Sequence, residues 1–192
     1  ISGLMRLVSG ILVRRVLRQP LLTALLFFMA IRPAMSTESM NTVSYVDLNR
    51  FMGDWYVIAC IPTLIERESY NAVESYRLDE DGTIATTFTF LKGGFDGRRK
   101  TYHPRGFVLD KQTNARWGMQ FIWPIKADFR IVYLDERYSQ TIIAREKRDF
   151  VWLMARKPEM ADSDYEEHMR RIMNLGYDIK EIRKVPQRWN IP

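Results

Sequence analysis

Few residues in this chain are equipped for chemistry. It has one thiol, Cys60, and two imidazoles, His103 and His168. A single cysteine excludes an intramolecular disulfide, and two histidines with one cysteine fall short of the four ligands of a structural zinc site, so neither metal nor cofactor is expected. A catalytic thiol needs a cationic or basic neighbour to lower its pKa. Cys60 lies in "WYVIACI" (55–61), where strand alternation puts it on the face opposite Trp55, so it is expected to point away from an interior. His103 precedes Pro104, and His168 falls in a helical stretch whose polar face is its expected home. No Ser-His-Asp arrangement and no facing carboxylate pair stands out. The expectation is a binding protein with no catalytic residues. Two alternatives remain: an enzyme acting on a lipid or isoprenoid, which would have to use Cys60, and an interaction module working through its outer surface.

The elements that would position these groups are short strands. "WYVIACI" (55–61), "AVESYRL" (72–78), "TIATTFTFL" (83–91), "GFVLD" (106–110), "ARWGMQFIW" (115–123), "DFRIVYLD" (128–135), "QTIIAR" (140–145) and "FVWLMAR" (150–156) are rich in β-branched and aromatic residues. Turn chemistry separates them, as in "DEDG", "KGGFDG" and "LDKQTN". Strands at this spacing indicate an all-β sandwich or barrel, read here as one meander of eight. The period then changes to 3.6. Ser163 and Glu166 form a capping-box pattern, Tyr165, Met169, Ile172 and Met173 share a face, and Gly176 suits the position after the last turn. This amphipathic helix should pack on the outer wall, and "YDIKEI" (177–182) is a candidate for a last edge strand.

Gly53-Asp54-Trp55 opens the first strand. Trp is the largest plug available for a barrel's closed end, and Gly53 permits a sharp turn beneath it. Arg156 ends the eighth strand, the neighbour of the first in a closed barrel, so its guanidinium can stack on Trp55, a contact worth roughly 0.5 to 2 kcal/mol. At these residues the sequence resembles the lipocalin family, whose Gly-X-Trp signature and terminal-strand Arg match Gly53, Trp55 and Arg156. Phe129, Leu134-Asp135 and Tyr138 match a further family pattern. "DFVWLMARKP" and "SYRLDEDG" look most like the bacterial outer-membrane lipocalins, apolipoprotein D and the plant temperature-induced lipocalins. The resemblance covers about Val46 to Val185. It implies an eight-stranded up-and-down antiparallel barrel with a C-terminal helix outside, holding one small hydrophobic ligand.

Alternation from Trp55 assigns the lining. Val57, Ala59, Tyr76, Phe88, Phe90, Val108, Phe129, Ile131, Tyr133 and Trp152 are the expected ligand-binding residues. Such an apolar cavity suits a fatty acid or lysophospholipid. Arg99, Lys100, Arg105, Arg116 and Lys126 are candidates to pair with a carboxylate or phosphate headgroup near the mouth. Peripheral membrane contact and a homodimer are further partner expectations; nucleic acid is not one. The net charge is +6, but residues 1–36 hold five Arg and no acid, so the rest is nearly neutral.

That leader places Arg14, Arg15 and Arg18 before the uncharged "LLTALLFFMA", with small residues after it. This is a signal-peptide pattern, too short an apolar run to span a bilayer. The expected division is a signal peptide over 1–36 and a lipocalin domain over 37–192. Export to the periplasm or outer membrane is expected, without a lipid anchor, because the stretch 30–45 contains no Cys.

Overall fold

The structure is a computed structural model and describes residues 39–189; the expected leader lies outside the described residues. A short helix, α1 (Leu48–Phe51), precedes β1 (Gly53–Ile61), β2 (Ser69–Leu78), β3 (Thr83–Lys92), β4 (Arg98–Tyr102), β5 (Arg105–Val108), β6 (Arg116–Ile122), β7 (Ile125–Leu134), β8 (Gln140–Ala144) and β9 (Val151–Ala155). Except for β4 and β5, which do not pair with each other, each strand pairs antiparallel with the next, and β9 returns to pair with β1, closing the sheet. Both β4 and β5 pair with β3, interrupted at His103-Pro104; Pro104 cannot donate to the ladder. They are two halves of one strand, so the barrel has the expected eight. The fourth strand therefore begins earlier than its apolar residues indicate, in the polar run Arg98-Arg99-Lys100-Thr101.

Four register shifts interrupt the ladders, and two of them move expected lining residues to the other face. Between β1 and β9 the register runs Val57 opposite Met154, then Ala59 opposite Leu153 and Cys60 opposite Trp152. Ile58 is the extra residue, and one extra residue reverses the faces beyond it. Between β7 and β8, Ile131 opposes Ile143 and Tyr133 opposes Ile142, so Val132 does the same there.

Outside the wall, α2 (Asp162–Asn174) buries His168 and Ile172 over Ile58, Ala59, Ile142 and Leu153. The expected capping box is not formed: the N-cap is Ala161, without a side-chain bond, and Ser163 lies inside the helix. Met173, expected on the buried face, is exposed, whereas His168, expected on the polar face, is only 2 % exposed. Gly176 ends the helix as expected, with φ +91° and its N–H bonded to Met173 O. The segment 177–182 is not a strand. It holds a single 3-10 turn (Ile179–Glu181), and the strand is the two-residue β10 (Arg183–Lys184) that follows. β10 lies along the upper half of β1, where β2 has parted from it, and the chain after it continues the bridge through Asn71 N–H to Pro186 O at 2.9 Å.

Candidate functional site

The closed end is built first. Asp47 caps α1 by accepting from the amides of Asn49 and Arg50, and α1 delivers Phe51 beneath the barrel. Trp55 donates from Nε1 to Phe51 O at 2.8 Å, and Phe51 packs against Trp55, Tyr76 and Trp117 at ring separations of 5.0 to 5.7 Å. Trp117 stacks on Phe129 at 5.0 Å. Arg156 lies 3.9 Å over the Trp55 ring, as its position at the end of the eighth strand implies. Its guanidinium also donates to Asp54 O, Arg50 O, Phe51 O, Met52 O and Tyr138 O. Gly53 has φ +94°, and a Cβ there would stand 3.3 Å from Arg156 Nη1.

Above this floor, eight of the ten expected lining residues face inward: Val57, Tyr76, Phe88, Phe90, Val108, Phe129, Ile131 and Trp152 all belong to the inner cluster. Ala59 and Tyr133 do not. The Ile58 bulge turns Ala59 out under α2, and the Val132 bulge turns Tyr133 out, where its ring meets His168 at 4.9 Å. By the same bulge Cys60, expected outside, is buried in the inner cluster. Packing is complete at the floor, where Trp55 and Trp117 have no exposed surface, and thins toward the mouth, where Tyr102 and Trp152 are only half-buried.

Two carboxylates line this interior, and neither was anticipated. Glu66, from the β1–β2 loop, accepts from Trp152 Nε1 at 3.1 Å and from the amide and hydroxyl of Thr63 at 2.9 and 2.8 Å. Burial pushes its pKa up against these bonds. Glu74 stands on β2 directly across from Trp55 on β1 and Phe88 on β3, and accepts the Tyr76 hydroxyl. Burial raises the Glu74 pKa to about 7, with Tyr76 pulling it down and Glu66 adding to the rise. It sits two residues before Tyr76, so alternation alone would have found it. Burial, then the charge of Glu66, holds the Cys60 thiol well above its usual range, with Arg183 opposing and Glu74 adding a little.

Of the basic headgroup candidates, Lys100 alone faces the lumen, as the cross-strand partner of inward Phe90. Arg99 pairs with outward Leu91. Arg105 is tied to Asp79 and Thr83 on the outer wall near the closed end, Arg116 begins β6 at that same end, and Lys126 covers the Phe107 ring at 3.6 Å. The mouth is instead ringed by exposed apolar side chains: Leu64 and Ile65 from the β1–β2 loop, and Phe121, Ile122, Trp123 and Ile125 at the β6–β7 turn. A recess of about 460 Å³ beside His103 lies on the outer wall, and Arg77 and Arg105 within it are already paired with Asp79.

The chain matches the family model of the lipocalin-like domain over residues 46–187. It is 27 % identical over 159 residues to temperature-induced lipocalin-1 of Arabidopsis thaliana, covering 78 % of this chain and 84 % of that one. It is 22 % identical over 153 residues to the outer membrane lipoprotein Blc of Escherichia coli, with the same two coverages. Among solved structures, insecticyanin from the tobacco hornworm Manduca sexta superposes with a TM-score of 0.59 at 12 % identity, covering 76 % of this chain and 83 % of that one. Apocrustacyanin C2 does so with a TM-score of 0.60 at 14 % identity, covering 76 % and 82 %.

Proposed function

This chain belongs to the lipocalin-like domain family, whose members bind small hydrophobic ligands, and from that premise we propose that it carries an elongated, largely apolar molecule with its chain inside the barrel. The observation that carries the reading is the gradient of packing along the interior: a sealed aromatic floor, then inner-face rings at the mouth that keep surface for a guest. Burial of a ligand chain would contribute at roughly 25 cal/mol per Å² of apolar surface. Fatty acids and lysophospholipids are the proposed classes, entering tail first so that an anionic headgroup rests near Lys100. The apolar collar of Leu64, Ile122 and Trp123 supports loading from a bilayer, and the name of the Blc relative supports a cell-envelope location. In this reading the chain is a carrier and not an enzyme.

The test is mass spectrometry of an organic extract from the protein purified gently from its source. One lipid class recovered near one per barrel is the expected result. An empty extract, together with no uptake of added fatty acid or lysophospholipid, would refute the reading.

A further inference from the structure

The lumen carries a feature that an apolar guest does not use. Glu74 is enclosed by the barrel yet keeps accessible surface, and because it points inward that surface belongs to the lumen. One carboxylate oxygen accepts the Tyr76 hydroxyl; the other has no protein donor among the described residues. Its cross-strand neighbours on both sides are aromatic, Trp55 and Phe88, and Phe88 continues into a ring cluster with Phe90 at 5.2 Å and Tyr102 at 6.5 Å. An anionic oxygen with a free lone pair, set on an otherwise apolar inner face, is the arrangement that recognises an aliphatic ammonium. The carboxylate accepts its N–H bonds.

We propose that Glu74, beside Tyr76 and Phe88, forms a subsite above the aromatic floor of the barrel for the amino end of a long-chain aliphatic amine. The inference rests on the carrier reading and adds a second polar end to it: a basic residue, Lys100, at the mouth and an acid above the floor. The guest enters amine first. Five residues of β2 separate Glu74 from Ser69 at the rim, about 16 Å at roughly 3.3 Å per residue, the depth over which the alkyl chain would lie. Glu66, the other lumen acid, is excluded from this role because both of its oxygens are engaged by Thr63 and Trp152.

Because Glu74 titrates near neutrality, the subsite is pH-dependent. The titratable groups that act with it are Tyr76 on its own strand, Glu66 from the β1–β2 loop and Cys60 on β1; the nearest cations act on these neighbours, Arg183 on Cys60 and Arg156 on Tyr76. Burial keeps Tyr76 and Cys60 neutral across the working range. A primary amine, like Lys with its pKa of about 10.4, stays protonated throughout. Amine affinity therefore follows ionisation of the lumen acid and falls as pH drops below 7.

The experiment titrates the full protein and Glu74→Gln with dodecylamine, dodecanol and dodecanoic acid at pH 8 and pH 5.5, by calorimetry below the aggregation limit of each probe. Dodecylamine is expected to bind wild type at least about tenfold tighter than dodecanol at pH 8, as a single charge-assisted hydrogen bond would give. That advantage should shrink at pH 5.5 and vanish in Glu74→Gln, whose folded state is checked by its tryptophan fluorescence. Should the variant fail to fold, the pH dependence in wild type decides alone. Equal affinities for amine and alcohol in wild type at pH 8 overturn the subsite and leave the carrier reading standing. No binding of any of the three overturns the carrier reading itself.

Discussion

Arg156→Ala tests the closed end most severely. The guanidinium holds five backbone carbonyls through three nitrogens. Nη1 reaches Asp54 O at 2.8 Å, Nη2 reaches Arg50 O, Phe51 O and Met52 O at 2.9, 3.0 and 2.8 Å, and Nε reaches Tyr138 O at 3.3 Å. Counting donors rather than bonds, and about 1 kcal/mol for each because two of the carbonyls are solvent-exposed, gives about 3 kcal/mol. The contact with Trp55 adds about 0.5 to 2 kcal/mol, so the loss should be about 3 to 5 kcal/mol. At a urea m-value of about 2 kcal/mol/M the midpoint falls by about 1.5 to 2.5 M. Arg156→Lys keeps a cation near the ring but offers one nitrogen in place of three, and should lose about half as much. Equilibrium urea unfolding followed by tryptophan fluorescence measures both. An Ala variant within about 1 kcal/mol of wild type, at unchanged m, would show that α1 and β1 are held together by ring packing alone and refute the capping argument.

Three further outcomes follow from the interior. Cys60 should resist a thiol-specific disulfide reagent at pH 8 in the native protein and react at once in denaturant; rapid native labelling would place the thiol outside the barrel after all. Glu74 titrates about 7 when folded against an ordinary 4.5, so the folded chain binds the extra proton and wild-type stability falls as pH rises from about 4.5 to 7. The stability difference between Glu74→Gln and wild type should therefore grow by about 3 kcal/mol between pH 4 and pH 8, at 1.36 kcal/mol per unit. His168 has the opposite sense, being held below its usual pKa by burial and then Arg171, but it is common to both proteins and cancels; a difference flat with pH would mean Glu74 is solvated. Finally, Ala59→Trp should cost about 1 to 3 kcal/mol by overpacking under α2 and leave ligand affinity intact, whereas Cys60→Phe should weaken binding by occupying the lumen. Equal effects on affinity would contradict the register at Ile58.

Much of this barrel was legible because strand periodicity reports burial directly. In β3 and β9 the pattern is unbroken, and Tyr76, Phe88, Phe90, Trp152 and the Trp55–Arg156 contact fall where alternation puts them. Alternation failed at Ala59, Cys60 and Tyr133, each lying beyond a bulge. A bulge is one extra residue opposite a partner strand, so it is written in the pairing of two segments and not in either segment alone. Val132 and Ile58 look like ordinary strand residues. The fourth strand was half missed for a different reason: Arg98 to Thr101 are polar because most of their surface faces solvent. Glu74 was legible and passed over, since a carboxylate on an inner face runs against the usual distribution of acids.

The inward placement of Cys60 bears on catalysis. An outward thiol would be irrelevant to a ligand in the lumen, but Cys60 lies opposite Trp152 on the inner face. What weighs against catalysis is electrostatic. A nucleophilic thiolate needs positive surroundings, and the groups acting on Cys60 are burial and two acids, Glu66 and Glu74, against one cation, Arg183. Arg183 is already committed to Ser69 O at 2.8 Å and lies 5.5 Å over the Tyr70 ring. An anion on sulfur would thus be opposed by both carboxylates. The thiol is placed where ionisation is hardest.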